Sequence, residues 1–236
     1  MDHLMKMMDD HANTLERQVA ERAEKVQEAK RQTEHILAQL LPRSILSEIQ
    51  AGRDIPAPTW YAKATVLHSD FVHFTSLCSR SSPLEIVQLL NGLYTQFDTA
   101  IAQHNVYKVE TIGDALIVIS GVPRPNGGRH VREIAELALD MRMIVADFKI
   151  PHLPKERLKI RIGFHSGPLA AGVVGLGSPR YSIFGDTVNV ACLLEQASRP
   201  DGIHLSSSSW KLLLEWPEYQ MMEREDACLV GAVGLP

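Results

Sequence analysis

Asp70 and Asp114 are the residues of this chain best placed to do chemistry, because each closes a run that reads as a β-strand. Asp70 ends Ala64-Thr65-Val66-Leu67-His68-Ser69, and Asp114 follows Lys108-Val109-Glu110-Thr111-Ile112-Gly113. Strand ends present side chains at the rim of a sheet, where two carboxylates brought together repel. A pair of Mg²⁺ ions would remove that repulsion, and two metals about 3.5–4 Å apart are a common device for moving phosphoryl or nucleotidyl groups. The competing reading is structural, since aspartate also favours turns by hydrogen-bonding its own backbone. The pair alone does not choose between them. Its surroundings do.

Bulk properties exclude several classes. The 236 residues, 45% of them hydrophobic, suffice for one sizeable core plus an appendage. No apolar run approaches the ~18 residues of a membrane span, and no secretory signal opens the chain, so no membrane contact is expected from this segment and a cytoplasmic setting is. Cys78, Cys192 and Cys228 are odd in number and widely spaced, which suits free thiols in a reducing compartment. A formal charge of −4 argues against a nucleic-acid partner, which selects for a basic face. The ten histidines are scattered without ligand spacing.

The elements that must position the aspartates follow from patterning. Residues 1–41 lack glycine and proline, and steps of four and three pick out Leu4, Met8, His11, Leu15, Val19, Arg22, Val26, Ala29, Thr33, Ile36 and Leu40. Eight of these eleven are apolar, which predicts a coiled-coil dimerisation helix, weakened at Arg22, Ala29 and Thr33. A solvated single helix is the alternative. Pro42 ends it, and residues 42–59, with Gly52, Pro56 and Pro58, read as a linker. Ser82-Pro83-Leu84-Glu85 is a capping box with proline at the first helical position, opening a helix whose expected inward face is Ile86, Leu90, Leu93, Phe97 and Ile101. Tyr107–Glu110 and Ala115–Ser120 read as strands. A second helix runs to about Lys149 with Ile134, Ala138, Val145 and Phe148 inward. Leu158–Ser166 and Leu169–Val174 read as a hairpin over Gly167-Pro168, a third helix starts near Asp186 or Thr187, and Ile203–Leu205 is a last strand. This order predicts an α/β fold, a split α+β sandwich with helices on one face of a mixed sheet.

Two motifs carry little. Gly172-Val173-Val174-Gly175-Leu176-Gly177 has reversed spacing for a dinucleotide loop and no helix after it. His165-Ser166-Gly167 lacks a second base or nucleophile elbow. Four other segments in order are more specific: DFVHFT (Asp70–Thr75), YKVETIGDA (Tyr107–Ala115), IRIGFHSGP (Ile160–Pro168) and RYSIFGDTVN (Arg180–Asn189). Together they resemble the catalytic domain of class III nucleotidyl cyclases, closest to receptor-type guanylate cyclases. The resemblance covers about residues 60–215, and the helix ending in Leu40-Leu41-Pro42 resembles the dimerisation helix that precedes that domain.

The resemblance implies a ferredoxin-like cyclase domain over residues 60–226 that converts GTP to cyclic GMP and pyrophosphate. It implies two Mg²⁺ or Mn²⁺ ions held by Asp70, Asp114 and the Phe71 carbonyl. Arg161 matches a triphosphate contact, and the amides near Phe74 and Thr75 a phosphate cradle. Glu110 matches the base-reading position, where a carboxylate accepts from guanine N1 and N2 but finds no donor at N1 of adenine. Ser182 stands where these guanylate cyclases usually carry cysteine, and its hydroxyl can donate to guanine O6. Asn189 matches a ribose-orienting asparagine. The resemblance further implies a site between two head-to-tail subunits, a homodimer or a heterodimer with another cyclase subunit. One subunit would supply Asp70, Asp114 and Arg161, the other Glu110, Ser182 and Asn189. It also implies a place on the intracellular side of a membrane receptor.

Three departures lower the expected activity. Leu193 stands where the family places a transition-state arginine, and loss of such a group costs ~10²–10³ in rate. His73 replaces a glycine in the phosphate-cradling loop. Residues 227–236, Ala-Cys-Leu-Val-Gly-Ala-Val-Gly-Leu-Pro, form an uncharged tail in place of the family's lysine-bearing final strand. The expectation is a weak guanylate cyclase, with a catalytically impaired cyclase-homology module as the alternative and adenylate cyclase activity disfavoured by Glu110.

Overall fold

The computed structural model describes residues 2–54, 56–175 and 179–224. Leu176, Gly177, Cys228 and the uncharged tail lie outside the described residues, as do the side chains of Leu4, His11, Ile36 and Leu40 on the predicted seam. The chain divides into two compact units.

The first unit carries α1 (Asp2–Leu40) and α2 (Arg43–Gln50). The uninterrupted run of helix formers gives α1 its length, and Pro42 stops it. Pairs such as Arg17–Glu21 and Lys30–Glu34 line its polar surface. The seam residues Met8, Leu15, Val19 and Val26 are all exposed in the single chain. The stretch expected as a plain linker holds α2, whose apolar Ile45, Leu46 and Ile49 recur at helical spacing.

The second unit is built on a six-stranded sheet. Its strands are β1 (Thr59–Phe71), β2 (Tyr107–Ile112), β3 (Ala115–Ser120), β4 (Ile160–Val174), β5 (Arg180–Phe184) and β6 (Ile203–Leu205). The order is β2-β3-β1-β4-β5, and β6 pairs parallel with β4, so the sheet is mixed as expected. Its helices are α3 (Phe74–Ser79), α4 (Pro83–Ile101), α5 (His130–Asp147), α6 (Asp186–Gln196) and α7 (Ser207–Leu213). Short helices α3 and α7 were not legible from periodicity, each being under two turns.

The capping box is present: the Ser82 hydroxyl accepts from the Glu85 amide while Glu85 Oε2 accepts from the Ser82 amide at 2.8 Å. The inward face of α4 is Leu89, Leu93, Phe97 and Ala100, slightly rotated from the predicted stripe, whose Ile86, Leu90 and Ile101 are half-buried. These pack with Val131, Ile134, Leu137, Ala138 and Met141 of α5 on Leu67, Phe71, Leu116, Val118, Ile162 and Phe164 of the sheet. Burial of this apolar surface, at ~25 cal/mol per Å², is what drives the layer together.

Two expectations are corrected. Residues 160–174 form one strand, not a hairpin over Gly167-Pro168. Pro168 cannot donate to a ladder, but the register steps from Tyr61↔Leu169 to Ala64↔Gly167, so Ala62 and Lys63 bulge opposite it and need no donor there. Nor do the helices keep to one face. A Cβ on Gly163 would lie 2.0 Å from the Glu195 amide, and one on Gly167 2.6 Å from Thr187 Oγ1, so α6 lies directly along β4 on the face opposite α4 and α5. His165 and Ser166 serve the packing of α7 and β1 instead: His165 hydrogen-bonds Ser206 at the α7 N-cap, and Ser166 hydrogen-bonds the buried Thr65 and Ser209.

Candidate active site

Alternation along β1 sends Leu67, Ser69 and Phe71 to the main core and Asp70 to the opposite face. There Asp70 lies in register with Arg161 of β4, whose Nη2 donates to Asp70 Oδ2 at 2.8 Å. Asp114 follows Gly113 in the β2–β3 turn, where a φ of +63° favours glycine. The Tyr94 hydroxyl of α4 pins that turn by donating to the Gly113 carbonyl at 2.9 Å. The pairing of Ser69 with Leu116 sets the Asp114 carboxyl beside that of Asp70, near enough for one to shift the titration of the other. The Phe71 amide donates to Asp70 Oδ1 at 2.9 Å.

This crowding has a titration signature. Burial first, then the hydrogen bond and charge of Asp70, push the Asp114 carboxyl up to about 6. Two adjacent carboxyls whose charges repel are the donor set a hard divalent cation would take over. A raised carboxyl favours the folded state fully below its unfolded value, and that contribution disappears as pH rises through the folded one. Without divalent cations, thermal stability should therefore rise on acidification from about pH 7.5 to about pH 5.5, less so in Asp114→Asn. Mn²⁺ must displace the Asp114 proton, so its affinity should be about tenfold weaker one unit below the Asp114 midpoint than well above it. Melting curves and calorimetry check both; equal profiles for wild type and Asp114→Asn would show that Asp114 does not titrate in this range.

Arg161 has a second acidic neighbour that the sequence reading passed over. Glu195 of α6 approaches Arg161 Nε to 3.0 Å with its side chain only 8% exposed. Burial, opposed by Arg161, pushes the Glu195 carboxyl up to about 7. The signal was available: α6 buries Thr187, Val190, Ala191, Leu194 and Glu195, so Glu195 is a carboxylate on the apolar stripe.

The other predicted residues lie apart from this cluster. A bulge between Lys108 and Glu110 pairs Tyr107 with Ile119 and Glu110 with Ile117, which turns Glu110 to the same face as Tyr107. The Tyr107 ring meets Tyr181 edge-on at 5.5 Å, so β2 and β5, the two ends of the strand order, curl toward each other next to Ser182. Glu110 and Ser182 are half-buried and Asn189 is exposed. Among the described residues, no hydrogen bond or ion pair joins any of the three to Asp70, Asp114 or Arg161. Phe74 and Thr75 open α3, where first-turn amides have no intrahelical acceptor.

The family profile described as "Adenylate and Guanylate cyclase catalytic domain" matches residues 57–234. The chain belongs to that cyclase family. It is 47% identical over 209 residues to the receptor-type guanylate cyclase gcy-23 of Caenorhabditis elegans, covering 89% of this chain and 19% of the relative. It is 46% identical over 231 residues to guanylate cyclase 2G of Mus musculus, covering 98% and 21%. The chain thus spans about a fifth of these relatives' length. Among solved structures it resembles the guanylate cyclase domain of RhGC from Catenaria anguillulae in complex with GTP, with a TM-score of 0.63 and 37% identity over 66% of this chain and 84% of that one. A non-canonical dimeric guanylyl cyclase domain from the aquatic fungus Blastocladiella emersonii matches equally, with a TM-score of 0.63 and 36% identity over 66% and 86%.

Two departures from the cyclase pattern acquire a geometry. His73 takes the left-handed conformation, φ 58°, that glycine adopts freely, at the N-cap of α3. Leu193 lies one turn beyond Asn189 on α6 and is half-buried. Arg199 lies past the end of α6 and lines an open pocket with His204 and Tyr219, so it does not stand in for an arginine at position 193. No helix among the described residues is long and apolar enough to cross a membrane.

Proposed function

We propose that this cyclase domain converts GTP to cyclic GMP and pyrophosphate, slowly, as a dimer working with Mg²⁺ or Mn²⁺. The observation that carries the reading is the placement of Asp70 and Asp114 side by side at adjoining strand ends, with Arg161 hydrogen-bonded to Asp70. The names of the relatives and the GTP-bound neighbour favour GTP as the substrate.

In this reading Asp70 and Asp114, with the Phe71 carbonyl, hold two divalent cations. When bound, these supply Lewis acidity toward the ribose 3′-hydroxyl and the triphosphate. The chain's own groups do the rest. Arg161 and the first-turn amides of Phe74 and Thr75 balance phosphate charge. The facing subunit's copies of Glu110 and Ser182 accept from guanine N1 and N2 and donate to O6, and Asn189 orients the ribose. The 3′-hydroxyl gives up its proton to solvent as its oxygen bonds to the α-phosphorus, the bond from that phosphorus to the bridging oxygen of the β-phosphate breaks, and pyrophosphate leaves. The exposed seam of α1 is the surface on which two chains would pair, with residues 60–226 as the catalytic domain. The receptor-type names of the relatives support placing that domain in the intracellular part of a membrane receptor.

Purified dimeric protein incubated with GTP and Mn²⁺ should yield cyclic GMP by mass spectrometry, and absence of product with intact nucleotide binding would end the catalytic reading. Glu110→Ala should lower kcat/KM for GTP by about 10²-fold or more, with a far smaller effect on ATP, because a purine-reading carboxylate is lost. An unchanged GTP-to-ATP ratio would remove Glu110 from base recognition.

Leu193 favours a second reading, a cyclase-homology module that binds nucleotide or a partner without turnover. Calorimetric binding of GTP without product would support it.

A further inference from the structure

Glu195 has no part in the mechanism above, yet the fold holds its carboxylate beside the guanidinium that the mechanism uses. Arg161, Gly163, His165 and Gly167 point to one face of β4, and α6 crosses that face. The missing side chain of Gly163 lets the α6 backbone descend onto the strand at Glu195, two residues along from Arg161. Arg161 is thereby held on two sides, by Asp70 at 2.8 Å through Nη2 and by Glu195 at 3.0 Å through Nε.

The two contacts differ in kind. Asp70 is reached by an aligned hydrogen bond. The Glu195 contact is short but out of line, so Arg161 Nε and Glu195 Oε1 are both buried without a hydrogen-bond partner. They also differ in depth: the Glu195 side chain is 8% exposed and that of Arg161 29%, which places the carboxylate behind the guanidinium. A cation engaging Asp70 would compete with Arg161 for Oδ2, and Glu195 is then the anion left to hold the side chain. An unheld arginine loses more of its binding energy to rotamer freedom.

We infer that Glu195 is the positioning residue of Arg161, keeping the guanidinium aimed at the polyphosphate of a nucleoside triphosphate once Asp70 turns to a divalent cation. The inference rests on the cyclase reading of the site. Removing one partner of a buried ion pair is costly enough that Glu195→Ala should raise KM for GTP and weaken Mn²⁺–pyrophosphate binding about tenfold, with kcat changing less. Mn²⁺ binding alone should be unchanged. Glu195→Gln, which keeps an oxygen at the same place, should restore most of the affinity. In an Arg161→Ala background, Glu195→Ala should have no further effect on pyrophosphate binding.

A readout without nucleotide is the Arg161 Nε–H resonance in ¹⁵N NMR of the full chain, assigned by its loss in Arg161→Lys. It should persist in Glu195→Gln and broaden or vanish in Glu195→Ala. Wild-type pyrophosphate binding together with an unaltered resonance in Glu195→Ala, or equal losses with and without Arg161, overturns the inference alone. No pyrophosphate binding by the wild type overturns the cyclase reading, and the purpose assigned to Glu195 with it.

Discussion

Leu193→Arg should raise the rate of cyclic GMP formation by about 10²-fold or more, because a cation placed against charge developing on the transferred phosphate is worth that much. The location is favourable. Leu193 sits one helical turn from Asn189 on α6 and is half-buried, so a longer side chain can leave the surface without displacing the core residues Val190, Ala191 and Leu194. The gain should fall in kcat, with KM moving little, since the group acts on charge that appears only in the transition state. Leu193→Met, of similar volume and no charge, should leave the rate unchanged. If Leu193→Arg folds, binds GTP and still makes no cyclic GMP, the non-catalytic module is the correct reading.

What could be read from the chain beforehand was governed by the range of the interactions involved. The Ser82–Glu85 capping box, the helix it opens and the start of α6 depend on neighbours within one turn, and they are as expected. The single strand through Gly167-Pro168 was not legible, because what tolerates Pro168 is a bulge at Ala62 and Lys63, about a hundred residues away in sequence. Placement of α6 on the second face depends on Gly163 and Gly167, whose role is to be absent beneath a helix formed later in the chain. The site divides the same way. Asp70 and Asp114 were legible as strand-end carboxylates, and the structure sets them side by side. Glu195 was passed over because a glutamate in a helix ordinarily faces water, although its spacing from Thr187, Val190 and Ala191 puts it on the buried stripe of α6.

Asp70→Asn and Asp114→Asn should each reduce cyclic GMP formation by about 10³-fold or more, best measured in the Leu193→Arg background, because each removes a ligand charge from ions that contribute several kcal/mol to the transition state. Their effects on stability should differ, and the difference separates metal-binding carboxylates from turn-forming ones. Asp114 is destabilised by its own charge at neutral pH, through burial and Asp70, so Asp114→Asn should raise the melting temperature of the metal-free protein. Asp70 holds Arg161 and accepts from the Phe71 amide, so Asp70→Asn should lower it. A turn-forming role predicts the opposite for Asp114, a loss of stability with catalysis and Mn²⁺ affinity intact. Activity lost while stability is gained at position 114 is an outcome that only a charge kept for a cation explains.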